Sequence, residues 1–463
     1  MAKFSVKSLL APKQPLGSEI ECALGLALAG AAAMIALTCG ARGQLTPKAD
    51  AQNAPGKTRG AASARAATPS PASSANLASS GAAENTGAPA RDPSELALPH
   101  FFADLSALEQ RARKAPVRVV WFGDSHTAAD YLTGALRARL QTRFGAGGPG
   151  FVRIGVKPYR HTQMHWACDG PWRIEPPQPS RRAQFDDGIF GLGGMRAFPG
   201  DAPAFASFEV SKGTAHGALS WQLWYSLPDN ATFRMDLAGV SQVVTKASAA
   251  DTISGAGFSR LTLTSALADK LQITTLGGEP HFYGLIAEGS EPGLVLDAVG
   301  IDGARIATLL AWNEASFEAA LQTRAPSLVA FAFGTNEAFD AEKVEKYRAE
   351  YRDTLARARK AAPSSDCLIV GPPDANAVSG GSEPRVTEID ALQRSVAGEQ
   401  GCGFVSQLEI MGGPGSYTHW ANKLPPLARG DRLHLTPKGY EAVAAAIADK
   451  LLAAYGKTSA KAH

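Results

Sequence analysis

The stretch VRVVWFGDSHTAADYLTGALRARLQTRFGAGGPG, residues 117–150, decides the fold. Val117, Val119, Val120, Trp121 and Phe122 form a compact apolar run with almost no alternation, as a strand covered on both faces of a parallel sheet requires. The run stops at Gly123. Residues 128–144 have helical composition and the glycine-rich run 145–150 ends them, so the unit reads strand, tight turn, helix. The same grammar returns further along. Residues 294–299 form a strand leading into the helix-like 304–310; 328–333, 367–370 and 404–408 are strands; 343–361 is a charged helix; Thr436 and Pro437 open a last helix to about Tyr455. Strands alternating with helices predict an α/β domain built on a doubly wound parallel sheet.

Between Trp172 and Glu288 the period changes. Leu219, Trp221, Leu223 and Tyr225 alternate with other residues, Phe258, Leu261 and Leu263 lie in a Thr/Ser-rich stretch, and Leu271, Ile273 and FYGLIAE follow, separated by Gly, Pro, Asp and Asn. This predicts an inserted all-β sandwich over 172–288, dividing the α/β domain into 96–171 and 289–458. Such a module suits carbohydrate binding or substrate orientation, although aromatics of this kind also serve as plain core.

Upstream, Lys3, Lys7 and Lys13 precede an uncharged apolar run from Cys22 to Gly40, so 1–43 reads as a signal peptide or a membrane anchor; Cys39 adds a lipid-anchor reading that Ala36, Leu37 and Thr38 fit poorly. Residues 44–95 are rich in Ala, Ser, Pro and Thr and lack Phe, Trp and Tyr, the composition of a disordered tether. The expected location is the periplasm or cell envelope, exported and with N-terminal membrane association open. With 46 basic against 43 acidic side chains the chain lacks the concentrated positive charge that nucleic-acid binding needs. Its five cysteines include no CxxC or Cys/His zinc spacing, so no metal is expected.

Four blocks carry chemistry. GDSH (123–126) follows the first strand, where the carboxyl ends of parallel strands present reactive groups; Ser125 there is exposed at a sharp turn, with an N-cap as its structural alternative. DRLH (431–434) precedes the last helix, and its spacing lets Asp431 reach the Nδ1–H of His434 and turn Nε2 toward a nucleophile. GIDG (300–303) offers the backbone N–H of Gly303, and GTNE (334–337) the amide of Asn336, as oxyanion donors beside the N–H of Ser125. Taken singly, these are turn and cap residues; all four follow strand ends of one sheet or precede its last helix.

In this order the blocks resemble the SGNH (GDSL-type) hydrolase family. That resemblance implies a flavodoxin-like α/β sheet, with Ser125 as nucleophile, His434 as base and then acid, Asp431 as its partner, and Ser125, Gly303 and Asn336 forming the oxyanion hole without a cofactor. GDSHTAADYLTG, FGAGGPGF, GTNEA and the insertion further resemble bacterial peptidoglycan O-acetylesterases. The expectation is a monomeric, extracytoplasmic serine esterase that removes O-acetyl groups from a cell-wall polysaccharide, peptidoglycan foremost, with other polysaccharide esters and xylan-like substrates suiting the same chemistry. A polysaccharide O-acetyltransferase using the same triad, or a non-catalytic wall-binding protein, are competing readings. His126, Tyr417 and Trp420 are candidate substrate contacts; positioning by His126, and a loop packed by its own aromatics, are the alternatives. Export would also allow a disulfide between Cys367 and Cys402.

Overall fold

The computed structural model describes residues 92–175, 185–248, 251–266 and 270–461. The expected signal or anchor and nearly all of the tether lie outside these residues. Five strands form one wholly parallel sheet: β1 (Val117–Gly123), β2 (Leu294–Gly300), β3 (Leu328–Ala332), β4 (Asp366–Gly371) and β5 (Gly403–Ser406), in the order β2-β1-β3-β4-β5. This is the flavodoxin-like order, with its switch point between β1 and β3.

Both faces of the sheet are covered, which explains the unbroken apolar run of β1. Val119 and Trp121 face the helices Tyr131–Phe144 and Pro437–Lys461, while Val120 and Phe122 face Phe317, Tyr351 and Leu355 on the other side. Cys367 at the start of β4 and Cys402 just before β5 are joined by a disulfide.

The segment between β1 and β2 forms two antiparallel sheets. One runs through 251–252, 259–265, 219–226, 281–289, 196–199 and 172–175; the other through 164–169, 205–210, 270–277, 232–237 and 240–244. Trp221, Leu223 and Phe282 of the first meet Phe208, Phe233 and Ile273 of the second in a sandwich core. The outer face of the first sheet, through Trp224, Tyr283 and Ile286, shares a core with Phe122 and Val299 of the parallel sheet.

The antiparallel strands begin at Gly150, earlier than the expected boundary at Trp172. Gly150–Val152 pairs with 285–287, and Phe151 lies where a Cβ on Gly284 would come within 2.1 Å of its ring. Met164–Asp169 is an edge strand in which Met164, Trp166 and Cys168 turn inward while the small Ala167 stands outward between His165 and Asp169, which blurs its alternation. A buried ion network joins the insertion to the sheet. Arg324 donates to Glu288 at 2.8 Å and to Asp297 at 2.8 Å, Arg118 donates to Glu288 at 2.8 Å, and Asp297 accepts the N–H of Phe151 at 2.8 Å.

Candidate active site

The chain leaves β1 through Gly123, where a Cβ would lie 2.1 Å from Thr127 Oγ1 and 2.9 Å from the carbonyl oxygen of Ala332. Only glycine allows that close turn. Asp124 caps the single helical turn Ser125–Ala128, its carboxylate accepting the N–H of His126 at 2.9 Å. Burial pushes this carboxyl up to about 8, with the His126 N–H opposing it. The cap therefore holds the turn while Ser125, half-buried, is presented at its start.

At the other end of the domain, Asp431 and His434 share a tight turn in which Arg432 has a φ of +69°. Asp431 Oδ1 accepts the N–H of His434 at 2.8 Å and that of Leu433 at 3.0 Å, and Oδ2 lies 3.0 Å from His434 Nδ1. Burial raises the Asp431 carboxyl, but the N–H groups and the imidazole outweigh it and hold it at about 2. With Nδ1–H committed to Asp431, Nε2 is left as an acceptor, 2.9 Å from Ser125 Oγ. The three side chains thus form one hydrogen-bonded row.

Gly303, exposed and at φ +72°, and Ser125 each carry a backbone N–H that makes no hydrogen bond among the described residues. Asn336 Nδ2 donates one hydrogen to the carbonyl of Ala304 at 2.8 Å, which fixes the amide beside Gly303 and leaves its second hydrogen for a ligand. Glu337 locks both loops together. Its buried carboxylate accepts the N–H of Ile306 at 2.9 Å and that of Gly334 at 3.0 Å, and burial pushes it up to about 7. The sequence reading passed over Glu337; its signal was a carboxylate at the third position of a short helix, where it can reach back to the cap.

The proposed substrate contacts fare differently. Tyr417 is buried, with its hydroxyl 2.9 Å from the carbonyl of Arg429, 3.0 Å from that of His434 and 3.2 Å from Asp431 Oδ1, so it buttresses the DRLH turn instead of meeting substrate. Trp420 is buried in the core beside the sheet, its indole N–H donating to the carbonyl of Met411 at 3.0 Å. Both belong to the helix Ser416–Ala421, whose inward face they fill; a glycine-rich loop was expected there. His126 is also buried. Its Nδ1 pairs with the hydroxyl of Tyr440 at 2.9 Å, its ring lies 5.2 Å from that of His434, and burial and then the neighbouring His434 push it down to about 3. It is a neutral ring behind the row, a positioning element. Tyr440, which holds it, gave no signal in the sequence beyond its place in the last helix.

Residues 268–442 match the GDSL-like Lipase/Acylhydrolase family, a stretch holding Gly303, Asn336, Asp431 and His434 and leaving Ser125 upstream of the inserted strands. No curated protein matches the sequence. Among solved structures, a peptidoglycan O-acetylesterase is similar at 27% identity and a TM-score of 0.65, over 77% of this chain and 96% of that one. An acetyl xylan esterase is similar at 18% identity and a TM-score of 0.27, over 35% of this chain and 81% of its own. A lipase/acylhydrolase from Enterococcus faecalis is similar at 18% identity and a TM-score of 0.28, over 36% and 77%.

Proposed function

From the premise that this chain carries a GDSL-like lipase/acylhydrolase domain, we propose that it is an extracytoplasmic serine esterase removing O-acetyl groups from a cell-wall polysaccharide, peptidoglycan in particular. The observation that carries the reading is the row Ser125 Oγ, His434 Nε2 and Nδ1, and Asp431 Oδ2, spaced at 2.9 and 3.0 Å beside two unengaged backbone N–H groups. Support for the substrate comes from the likeness to a peptidoglycan O-acetylesterase, which extends over more of the chain than the parallel-sheet part occupies. The apolar run 22–40 behind Lys3, Lys7 and Lys13, and the disulfide Cys367–Cys402, support an oxidising compartment outside the cytoplasm. Among the described residues no helix is long and apolar enough to cross a membrane.

In this mechanism Ser125 Oγ attacks the acetyl carbonyl as His434 Nε2 takes its proton, and Asp431 stabilises the imidazolium that results. Negative charge develops on the carbonyl oxygen, where the N–H groups of Ser125 and Gly303 and the free Asn336 hydrogen can meet it. His434 returns the proton to the departing sugar oxygen. Water, deprotonated by the same imidazole, then cleaves the acetyl-Ser125 ester and releases acetate. The test is acetate release from O-acetylated peptidoglycan by the purified protein and by Ser125→Ala. Wild-type release that the variant abolishes is expected; equal release by the two would remove Ser125 from the mechanism.

A further inference from the structure

A cleft of about 510 Å³ opens where the segment following the helix Tyr131–Phe144 meets the edge strand Met164–Asp169. Two of its walls are aromatic. The rings of Tyr159 and Trp166 lie 5.6 Å apart and tilted by 55°, both half-buried against the sandwich core, with the Tyr159 hydroxyl turned inward to accept the N–H of Arg153 at 3.2 Å. Arg160 and His165 are exposed at the rim, and among the described residues no carboxylate lines the cleft. Arg160 makes no ion pair among the described residues; its guanidinium rests 4.5 Å over the ring of Tyr131.

The cleft is tied to the reacting centre by a row of rings. Tyr131 stacks on Tyr440 at 6.1 Å with 6° between planes, and Tyr440 holds His126, the residue next to Ser125, at 2.9 Å. The loop bearing Arg160 is pinned in turn by Asp130, whose buried carboxylate accepts the N–H of Thr162 at 2.8 Å and pairs with Arg137 at 3.0 Å. A larger cavity of about 750 Å³ beside Arg305 differs in character, because carboxylates line it and pair with its cations: Arg305 with Asp340 and Lys346 with Glu342, each at 2.8 Å.

We propose that the aromatic cleft is a subsite for an anionic glycan, with one sugar ring against Trp166 and Tyr159 and a carboxylate borne by the same chain paired with Arg160. The C–H groups on the flatter face of a sugar match the electron-rich face of an indole, and a cation held over an aromatic ring, with no carboxylate paired to it among the described residues, is left to bind an external anion. The inference rests on the esterase reading and specifies its substrate: a polymer that carries acid groups beside its acetyl esters, gripped away from the bond that breaks.

The test uses the full chain and three substrates: O-acetylated peptidoglycan sacculi, the same sacculi with their carboxylates amidated, and 4-nitrophenyl acetate, too small to span both places. Expected for Trp166→Ala is a fall of about tenfold in the ratio of kcat/KM on sacculi to that on the small ester, expressed mainly in KM. Arg160→Ala should lower that ratio by about tenfold on native sacculi and be insensitive to amidation, whereas the wild type should lose a similar factor on amidation. Fluorophosphonate labelling of Ser125 reports that each variant is folded. Ratios equal to the wild type in both variants would overturn the cleft alone. A wild type that cleaves the small ester but releases no acetate from either form of sacculi would overturn the substrate reading and the cleft together.

Discussion

Replacing Asp431 with Asn changes one atom, yet the turn offers that atom no neutral place. Oδ1 accepts two backbone N–H groups, at 2.8 and 3.0 Å, and Oδ2 faces Nδ1 of His434 at 3.0 Å. An asparagine that keeps its oxygen on the backbone donors must aim its NH2 at Nδ1, which drives the imidazole proton to Nε2 and leaves nothing to accept the proton of Ser125. Turned the other way, the NH2 meets two N–H donors. A wrong tautomer in such a row can cost about 10⁴ in kcat. Here the Asp431 side chain is 43% exposed, so water can take over part of its work, and a loss of roughly 10²–10³-fold, about 3–4 kcal/mol of barrier, is expected. Asp431→Ala removes the carboxylate without imposing a tautomer and should be no slower than Asp431→Asn. Initial rates on 4-nitrophenyl acetate, with circular dichroism to confirm folding, measure both variants. An Asn variant within threefold of wild type, or clearly faster than the Ala variant, would refute the tautomer argument.

The other expectations draw on different parts of the molecule. Asn336→Ala removes the proposed oxyanion donor and the bond to Ala304, and should cut kcat by about 10²-fold with little change in KM, read from full progress curves. Burial pushes the Glu288 carboxyl up, but Arg324 and Arg118 overrule it and hold it at about 2, below its ordinary 4.5. Its stabilisation is thus complete above pH 4.5 and lost as pH falls toward 2; Arg324→Met, which leaves the buried Asp297 carboxylate without its cation and Glu288 with Arg118 alone, should lower stability by about 3–5 kcal/mol at neutral pH in urea titrations. Reducing Cys367–Cys402 opens a loop with a sequence separation of 35 and should destabilise by about 3–4 kcal/mol on chain-entropy grounds, visible as a lower Tm in dithiothreitol.

What was legible in the sequence followed from local pattern. A strand covered on both faces must be apolar throughout, so β1 to β4 stand out, and the three blocks after β1, β2 and β3 follow from the rule that parallel strands deliver side chains to one edge, with DRLH marked instead by the helix it precedes. The start of the sandwich was not legible, because Gly150 in a glycine-rich run has the composition of a turn and becomes a strand only through its partner 285–287, far along the chain. Similarly, residues 404–408 read as one strand but divide into β5 and the helix Gln407–Met411, since Ser406 caps that helix by accepting the N–H of Glu409. Tyr417 and Trp420 read equally well as a sugar platform or as packing; burial is a tertiary property, and it places them inside. Glu337 gave a cap signal, but its second bond, to Ile306, crosses between loops and has no trace in local spacing.

The insertion separates β1 from β2, so β1, an interior strand of the sheet, is synthesised long before its neighbour at Leu294–Gly300. At ribosomal speeds of roughly 5–20 residues per second, Val117–Gly123 waits on the order of ten seconds or more for a hydrogen-bonding partner. Throughout that interval its apolar side chains have no sheet to enter. Transiently uncovered apolar surface and an unpaired strand edge are what make partly made proteins prone to aggregate, so the late arrival of the second half places that hazard in the biogenesis of this protein.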